Sequence, residues 1–447
     1  DVNGDSTLKV FGNAGRYALP LTATVAVRGA SASLFVEQFY TFTGIDPATG
    51  APTGLVQIDN PNNGRPNRYL NNEFGVGKNP ETIASQNLDP MYQDEYILGA
   101  QKQLTDNFSV GVRGIYRDLK RAIDDTCDYR PIIDWALANG FTADGGIFIE
   151  PIDRTQDSDI AAYNPGFAFC HLYNPGSDGI FRMDINGDGT LETVEIAAED
   201  LGPEAKRTYQ AVEVFFEGNW DKFFLQGSYT WAKSKGNTEG GVKSDIGQAD
   251  TNVTQDFDYP ELAIGSYGLL PNDRRHTLKL FGNYSINDEW SIGGNLLVQS
   301  GRPINCFGWL GGSNTAHYGN SYFSCDLDVD AADADGNPTV PGDGNQNNGF
   351  TIVPRGSAGT TPWTKSVDLN LRYAPAFADG NLAFKFDIFN VFNNDAATTV
   401  NEFGEDASGN PQAGGTDGSG EPRPFFYKQA TGWQAPRSVR FSVQYDF

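Results

Sequence analysis

Pro436-Arg437-Ser438-Val439-Arg440-Phe441-Ser442-Val443-Gln444-Tyr445-Asp446-Phe447 is the stretch whose reading decides the fold class. Val439, Phe441, Val443, Tyr445 and Phe447 alternate with Arg440, Ser442, Gln444 and Asp446, so one face is apolar and aromatic and the other polar. Such a period of two is that of a strand between two different solvents. The run continues to an aromatic residue with nothing after it to cover the apolar face. It therefore reads as the closing strand of an outer-membrane barrel rather than the edge of a soluble sheet.

The same period recurs upstream. Glu95 to Leu104 and Phe108 to Leu119 form a hairpin turned at Thr105-Asp106-Asn107; Arg207 to Gly218 and Phe223 to Lys235 turn at Asn219-Trp220-Asp221-Lys222. His276 to Tyr284 and Trp290 to Ser300 turn at Asn287-Asp288-Glu289, and the strands around Val367 to Tyr373 and Leu382 to Phe389 turn at Ala378-Asp379-Gly380-Asn381. With a first strand from Thr7 to Tyr17, the chain reads as about ten antiparallel strands of membrane-crossing length. Short turns alternate strictly with long loops, so all short turns lie on one side; in outer-membrane barrels that side is the periplasm. Trp220, Trp290, Tyr284, Tyr373 and Phe377 beside the short turns read as an aromatic girdle. A soluble sandwich shares the alternation but seldom carries such loops on one side only. Within the polar stretch after Tyr17, Ala32 to Thr43 reads as a further strand reaching beyond the membrane.

Composition agrees: 52 glycines, 2 methionines and many aromatics in 447 residues suit half-exposed strands and large polar loops. No run approaches the roughly 20 apolar residues of a membrane helix. A formal charge of -25 argues against nucleic acid as a partner, because phosphate binding needs clustered Lys and Arg, and favours cation binding or a solvated surface. The sequence opens at Asp1 without a signal-peptide pattern, so either the mature protein begins there or this is a piece of a longer chain. Cys127, Cys170, Cys306 and Cys325 lack the close spacing of a zinc or redox site. Pairing Cys127 with Cys170 and Cys306 with Cys325 is the economical choice among the three possible, and disulfides imply an oxidising compartment.

Asp184-Ile185-Asn186-Gly187-Asp188-Gly189-Thr190-Leu191-Glu192-Thr193-Val194-Glu195 satisfies D-x-[DN]-x-[DN]-G-x5-E in full. In that pattern Asp184, Asn186 and Asp188 supply side-chain oxygens to calcium and Thr190 its carbonyl. Glu192 contributes through water and Glu195 a bidentate carboxylate, while Gly189 allows the sharp turn. The flanks do not read as helices, and an ordinary solvated Asp/Asn/Gly turn is the alternative. Asp1-Val2-Asn3-Gly4-Asp5 and Asp333-Ala334-Asp335-Gly336 are incomplete versions and read as acidic turns. His171, His276 and His317 are scattered; Asp273-Arg274-Arg275-His276 reads as structural pairing, and no constellation supports catalysis.

Several strand-end motifs together resemble the carboxy-terminal half of TonB-dependent outer-membrane receptors, in particular the Oar-like branch. They are Lys9-Val10-Phe11-Gly12-Asn13-Ala14-Gly15-Arg16-Tyr17, Asp94-Glu95-Tyr96, Leu270-Pro271-Asn272-Asp273-Arg274-Arg275-His276 and Ser300-Gly301-Arg302-Pro303. Asp387-Ile388-Phe389-Asn390-Val391-Phe392-Asn393-Asn394 and the closing strand complete the set. The resemblance implies a barrel of about 22 strands around an amino-terminal plug. Neither plug nor TonB box is visible, so residues 1–447 are expected to be a carboxy-terminal barrel portion, with loop 120–206 carrying the calcium motif and loop 301–364 acidic. It further implies that Phe441, Val443, Tyr445 and Phe447 resemble the signal read by the barrel-assembly machinery. Arg113, Lys279, Asp368, Arg372, Lys385, Asp387 and Arg440 are expected to face the lumen or plug. The function implied is uptake of a scarce ligand across a Gram-negative outer membrane, powered by the TonB complex through the plug, with the long loops extracellular. The rival readings are a barrel-anchored adhesion or structural protein with calcium-stiffened loops, and a passive porin.

Overall fold

The computed structural model describes residues 2, 4, 7–30, 36–58, 68–69, 79–141, 170–186, 188–248, 250–308, 322–325, 351–404 and 426–446. Ten long strands carry the architecture: β1 (Leu8–Ala18), β2 (Tyr92–Thr105), β3 (Phe108–Arg121), β4 (Arg207–Asn219), β5 (Phe223–Gly236), β6 (His276–Ser285), β7 (Trp290–Gln299), β8 (Thr364–Tyr373), β9 (Leu382–Phe389) and β10 (Ser438–Tyr445). They pair in chain order as one antiparallel meander, with the short strand Gly268–Leu269 added beside β5. This is the all-β, antiparallel wall expected from the alternation. Among the described residues β1 and β10 do not pair with each other, so each presents a free edge. No described helix is long and apolar enough to cross a membrane.

Register settles which residues share a face. Ala100 stands opposite Val112, Val112 opposite Val214, Val214 opposite Tyr229, and Tyr229 opposite Leu278. Further along, Leu369 stands opposite Ile388 and Ile388 opposite Val439. The ladder is apolar from strand to strand yet exposed: Leu98 is 69% accessible, Phe441 65% and Val439 65%. A sheet bearing that surface needs hydrocarbon on this side. At the short-turn end, stacked rings run along the same face, with Trp290 to Tyr373 at 4.4 Å, Tyr373 to Phe384 at 6.3 Å and Phe384 to Phe441 at 6.3 Å.

The hydrophobic core is not in the wall but in the long loops. Within the loop expected over 120–206 with its calcium motif, the described residues form a helix, Arg130–Ala138, and two hairpins, Asp124–Thr126 with His171–Tyr173 and Gly179–Met183 with Glu192–Ile196. The helix starts with Pro131 in its first turn, where a missing N–H costs nothing. Ile132 and Ala136, four apart and hence on one face, are buried and pack with Phe181, Met183, Ile185 and Val194, all at or below 1% exposure. Complete burial of each large side chain contributes about 1.5–3 kcal/mol. Val25, Ile83, Met91, Val253 and Phe257 from other loops join the same cluster. Period counting misses such a core because its members come from short, separated segments: loop 122–206 supplies most of them, and the loops before β2 and after β5 add three and two.

Ala32–Thr43 does not form the single extended strand expected. It breaks into Val36–Glu37 and Phe39–Thr41, which pair with Arg68–Tyr69 and Val56–Ile58 inside the same loop. Phe447, Gly187, His317, Asp333-Ala334-Asp335-Gly336 and most of loop 301–364 lie outside the described residues, as do Asp1, Asn3 and Asp5.

Candidate functional site

The face opposite the apolar ladder carries charge. Arg113 lies directly opposite Glu213 and bonds it at 3.1 Å; Arg117 lies opposite Glu95 at 2.5 Å; Arg440 lies opposite Asp387 at 2.9 Å. Lys279 faces Ser228, Asp368 faces Asn295, and Arg372 faces Lys385. All seven residues expected on the inner side therefore share one face, because strand neighbours at even offsets must. Among the described residues Lys279 and Arg372 form no ion pair, and Lys385 donates to Gln444 at 2.9 Å. Directly opposed cations such as Arg372 and Lys385 repel each other unless another surface brings negative charge.

Above the wall at the long-loop end, three loops are pinned by buried charge. Asp256 accepts from the Lys243 ammonium at 2.6 Å and from Arg355 Nη2 at 2.5 Å, and Arg355 also lies 3.6 Å from Asp245. These side chains are at most 2% exposed. Burial alone would raise Asp256, but Arg355 and Lys243 outweigh it and hold the carboxyl below its ordinary range. Lys243 and Arg355 also lie over the Phe323 ring, at 4.9 and 4.8 Å. Arg302 pairs with Glu402 alongside, tying the loop after β7 to the loop after β9. The glycine of Ser300-Gly301-Arg302-Pro303 is explained here: a Cβ at Gly301 would overlap the Thr361 carbonyl.

Strand-end motifs serve the same anchoring. Asp273 accepts from Ser234 N at 2.6 Å and pairs with Arg275 at 3.3 Å, while Arg274 donates to Pro271 O and Asp273 O. His276 Nδ1 sits 2.7 Å from the Tyr229 hydroxyl. Asn390 and Asn393 take left-handed conformations, φ 51° and 52°, which Asn tolerates better than most residues. Asn390 Nδ2 then donates to Asn394 O and Ala435 O, and Asn393 Oδ1 accepts from Arg437 N, joining the end of β9 to the start of β10.

The structure pairs Cys127 with Cys170 and Cys306 with Cys325, closing loops of 43 and 19 residues' separation. Beside the first bridge lie Asp124, Asp125, Asp128 and Asp258, all nearly buried. Asp124 accepts from Thr254 N at 2.6 Å and Thr254 Oγ1 at 2.8 Å. Burial, then the charge of Asp125, pushes its carboxyl well above the ordinary range. His171 is buried with Nδ1 2.9 Å from Thr82 O.

The Asp184 to Glu195 segment is a hairpin loop, not a helix–loop–helix. Asp184 Oδ2 accepts from Gly189 N at 2.9 Å, Asn186 Oδ1 from Asp188 N at 3.1 Å, and Asp188 Oδ1 from Thr190 N at 2.7 Å. Gly189 sits at φ 85°. These bonds to backbone and to Asn186 hold the Asp188 carboxyl below its ordinary range. Glu192 turns back to the loop, its Oε2 accepting from Ile185 N at 3.0 Å. Glu195 does not. It stands opposite Ile180, three register positions or roughly 10 Å beyond the loop, with its side chain outward. In the helix–loop–helix form a helix follows the twelve-residue loop, whereas here Val194 and Ile196 are committed to the core as strand. Among the described residues the acidic groups of this loop do not gather three ligating atoms within 4.8 Å; Asp125, Cys127, Cys170 and Asp258 do, but both sulfurs are in the disulfide.

Among known proteins, no family model matches the sequence. The TonB-dependent transporter Oar of Myxococcus xanthus is 29% identical over 274 residues, covering 55% of this chain and 23% of the relative. The outer membrane transporter YddB of Escherichia coli aligns with 100% of this chain and 39% of its own at a TM-score of 0.45 and 12% identity. FpvA of Pseudomonas aeruginosa, solved with a ferric pyoverdine, aligns with 99% of this chain and 31% of its own at 0.40 and 11%. The chain thus spans well under half the length of each. The resemblance rests on the sequence match: the chain is similar to the TonB-dependent transporter Oar over 274 residues.

Proposed function

We propose that this chain forms part of the barrel wall and outer cap of a TonB-dependent receptor that takes up a scarce ligand across a Gram-negative outer membrane. The observation that carries the reading is the two-sided wall, apolar outside and charged inside, in a relative of a TonB-dependent transporter. The long loops are extracellular in this reading. The lumen face, with Lys279 and the Arg372–Lys385 juxtaposition, meets a plug through which the TonB complex acts. The free edges of β1 and β10 call for further strands, since unpaired backbone groups in lipid cost several kcal/mol each. Phe441, Val443 and Tyr445, at 65, 55 and 61% exposure, form with Phe447 the strand read by the barrel-assembly machinery.

The reading includes calcium at the 184–192 loop, where Asp184, Asn186, Asp188, Thr190 and Glu192 supply oxygens and Glu192 takes the closing place of Glu195. The alternating bonds to Gly189, Asp188 and Thr190 support it. Calcium there stiffens a surface loop and takes no chemical part in uptake.

Intact mass and amino-terminal sequence of the protein extracted from outer membranes test the receptor reading. A mass well above 48.6 kDa, with a plug upstream, is expected. A mass equal to it, beginning at Asp1, refutes energy-coupled uptake and leaves the surface anchor.

A further inference from the structure

The Cys127–Cys170 bridge lies among carboxylates in a way a bridge alone does not require. One oxygen each from the Asp125 and Asp258 side chains and the two sulfurs all lie within 4.8 Å of one another. Asp125, Cys127 and Asp258 are 3, 2 and 7% exposed, and Cys170 is half-buried. The backbone sets this convergence. Thr126 stands opposite His171, which brings residues 127 and 170 to the same end of a two-stranded ladder, and Cys127 N donates to Asp258 O at 3.0 Å. Tyr259, Leu262 and Tyr322 pack around the sulfurs. A disulfide is neutral and sits as well among such apolar side chains, whereas bringing two carboxylates out of water beside it is costly.

We propose that disulfide and metal are alternative locks at this place: in the thiol form, Cys127, Cys170, Asp125 and Asp258 bind one borderline-soft divalent cation, zinc or its like. Tetrahedral zinc holds sulfur at about 2.3 Å and carboxylate oxygen at about 2.0 Å, so neighbouring ligand atoms stand roughly 3.3–3.8 Å apart. The four atoms are already gathered to within 4.8 Å, and only small shifts are needed once the sulfurs are no longer bonded to each other. The exchange balances. A dithiol reductant gives two electrons and two protons, the Sγ–Sγ bond breaks, each sulfur becomes a thiol and the reductant becomes a disulfide. Zinc then displaces both thiol protons to solvent. Two thiolates and a dication are together neutral, as the disulfide is, so the metal form adds no buried charge. Thiolates select zinc over calcium, which separates this site from the all-oxygen loop at 184–192. Either lock ties residues 125–127, 170 and 258, so the cap stays joined there before oxidation as well as after it.

Nothing in this chemistry depends on ligand uptake, and the test reads the metal alone. The full protein, purified from outer membranes into detergent, is titrated with zinc against a chromophoric chelator, once as isolated and once after a phosphine reductant. Reduced protein should bind one equivalent more than oxidised protein, and excess calcium should not displace it. X-ray absorption of that zinc should show two sulfurs at about 2.3 Å and two oxygens at about 2.0 Å. Asp125→Asn and Asp258→Asn should each weaken the added equivalent at least about 10-fold, the loss that even an outer-shell partner causes. Both variants should still form the Cys127–Cys170 disulfide, read by intact mass after alkylation. An oxidised dithiol should release the zinc in step with the re-formed bridge. Equal zinc stoichiometry in the two redox states overturns the proposal, as does a zinc shell without the two-sulfur, two-oxygen set in the unsubstituted protein. Affinity unchanged in both Asn variants overturns it too, because the added zinc then lies at Cys306 and Cys325 or on the sulfurs alone.

Discussion

Asp256→Asn should loosen the loop cap without melting the wall. The substitution keeps the shape of the side chain but removes the carboxylate that Lys243 and Arg355, at 2 and 0% exposure, share, leaving Arg355 with Asp245 at 3.6 Å and the charge of Glu239. Removing one member of a buried ion pair typically costs about 3–5 kcal/mol, because a desolvated charge loses its compensation. At roughly 1.4 kcal/mol per tenfold, that is about a 100- to 4,000-fold rise in amide exchange for backbone that opens with the cap. Hydrogen exchange followed by mass spectrometry on the purified protein reads it out in peptides covering 237–248 and 351–358, with β4 and β5 mid-strand peptides as the internal control. Adding Lys243→Gln removes the excess cation, so the double variant should recover at least about 1 kcal/mol of the loss. Exchange that rises less than about tenfold in the cap refutes the claim that this cluster holds the loops together. An equal rise in mid-strand peptides refutes the independence of cap and wall.

Two further expectations concern charge and metal. Asp124 carries a carboxyl raised well above its ordinary value by burial and by Asp125, so folding takes up a proton. The cap should therefore lose stability as pH rises from about 4, the unfolded carboxylate range, towards the raised folded value. Asp124→Asn should flatten that slope in thermal unfolding of the cap followed by Tyr and Trp fluorescence, and an unchanged slope excludes Asp124 as its source. For the 184–192 loop, calcium should protect the Gly179–Ile196 hairpin from proteolysis. Chelation or Asp184→Ala together with Asp188→Ala should abolish that protection, whereas Glu195→Gln should leave it nearly intact. Equal loss with Glu195→Gln restores the twelve-residue ligand set and refutes the role given to Glu192.

The wall was legible in the residues because its physics is local. A two-residue period needs only neighbouring positions, so Val439 to Tyr445, Leu278 to Tyr284 and Phe223 to Trp231 declare a face without knowledge of their partners, and short turns at residues 105–107 and 219–222 declare the pairing order. Faces then follow from register, which placed Arg113, Lys279 and Asp387 together as expected. The turn at Asp184 to Gly189 is local in the same way, since Asp184 to Gly189 and Asn186 to Asp188 are bonds within one loop.

The cap is a different case. Asp256 meets Arg355 across 99 residues and Asp124 meets Thr254 across 130, and neither contact leaves a period or spacing to find. Glu195 lies on a strand with its side chain outward, and a twelve-residue pattern says nothing about whether its last position is helical or strand. That choice belonged to Val194 and Ile196, whose burial against Phe181 and Ile132 depends on elements far apart in the chain. Alternation along the chain, being a short-range property, determined the strands, their order and their two faces. Burial in the cap, being long-range, decided where the hydrophobic core lies, which charges are compensated and which way Glu195 faces.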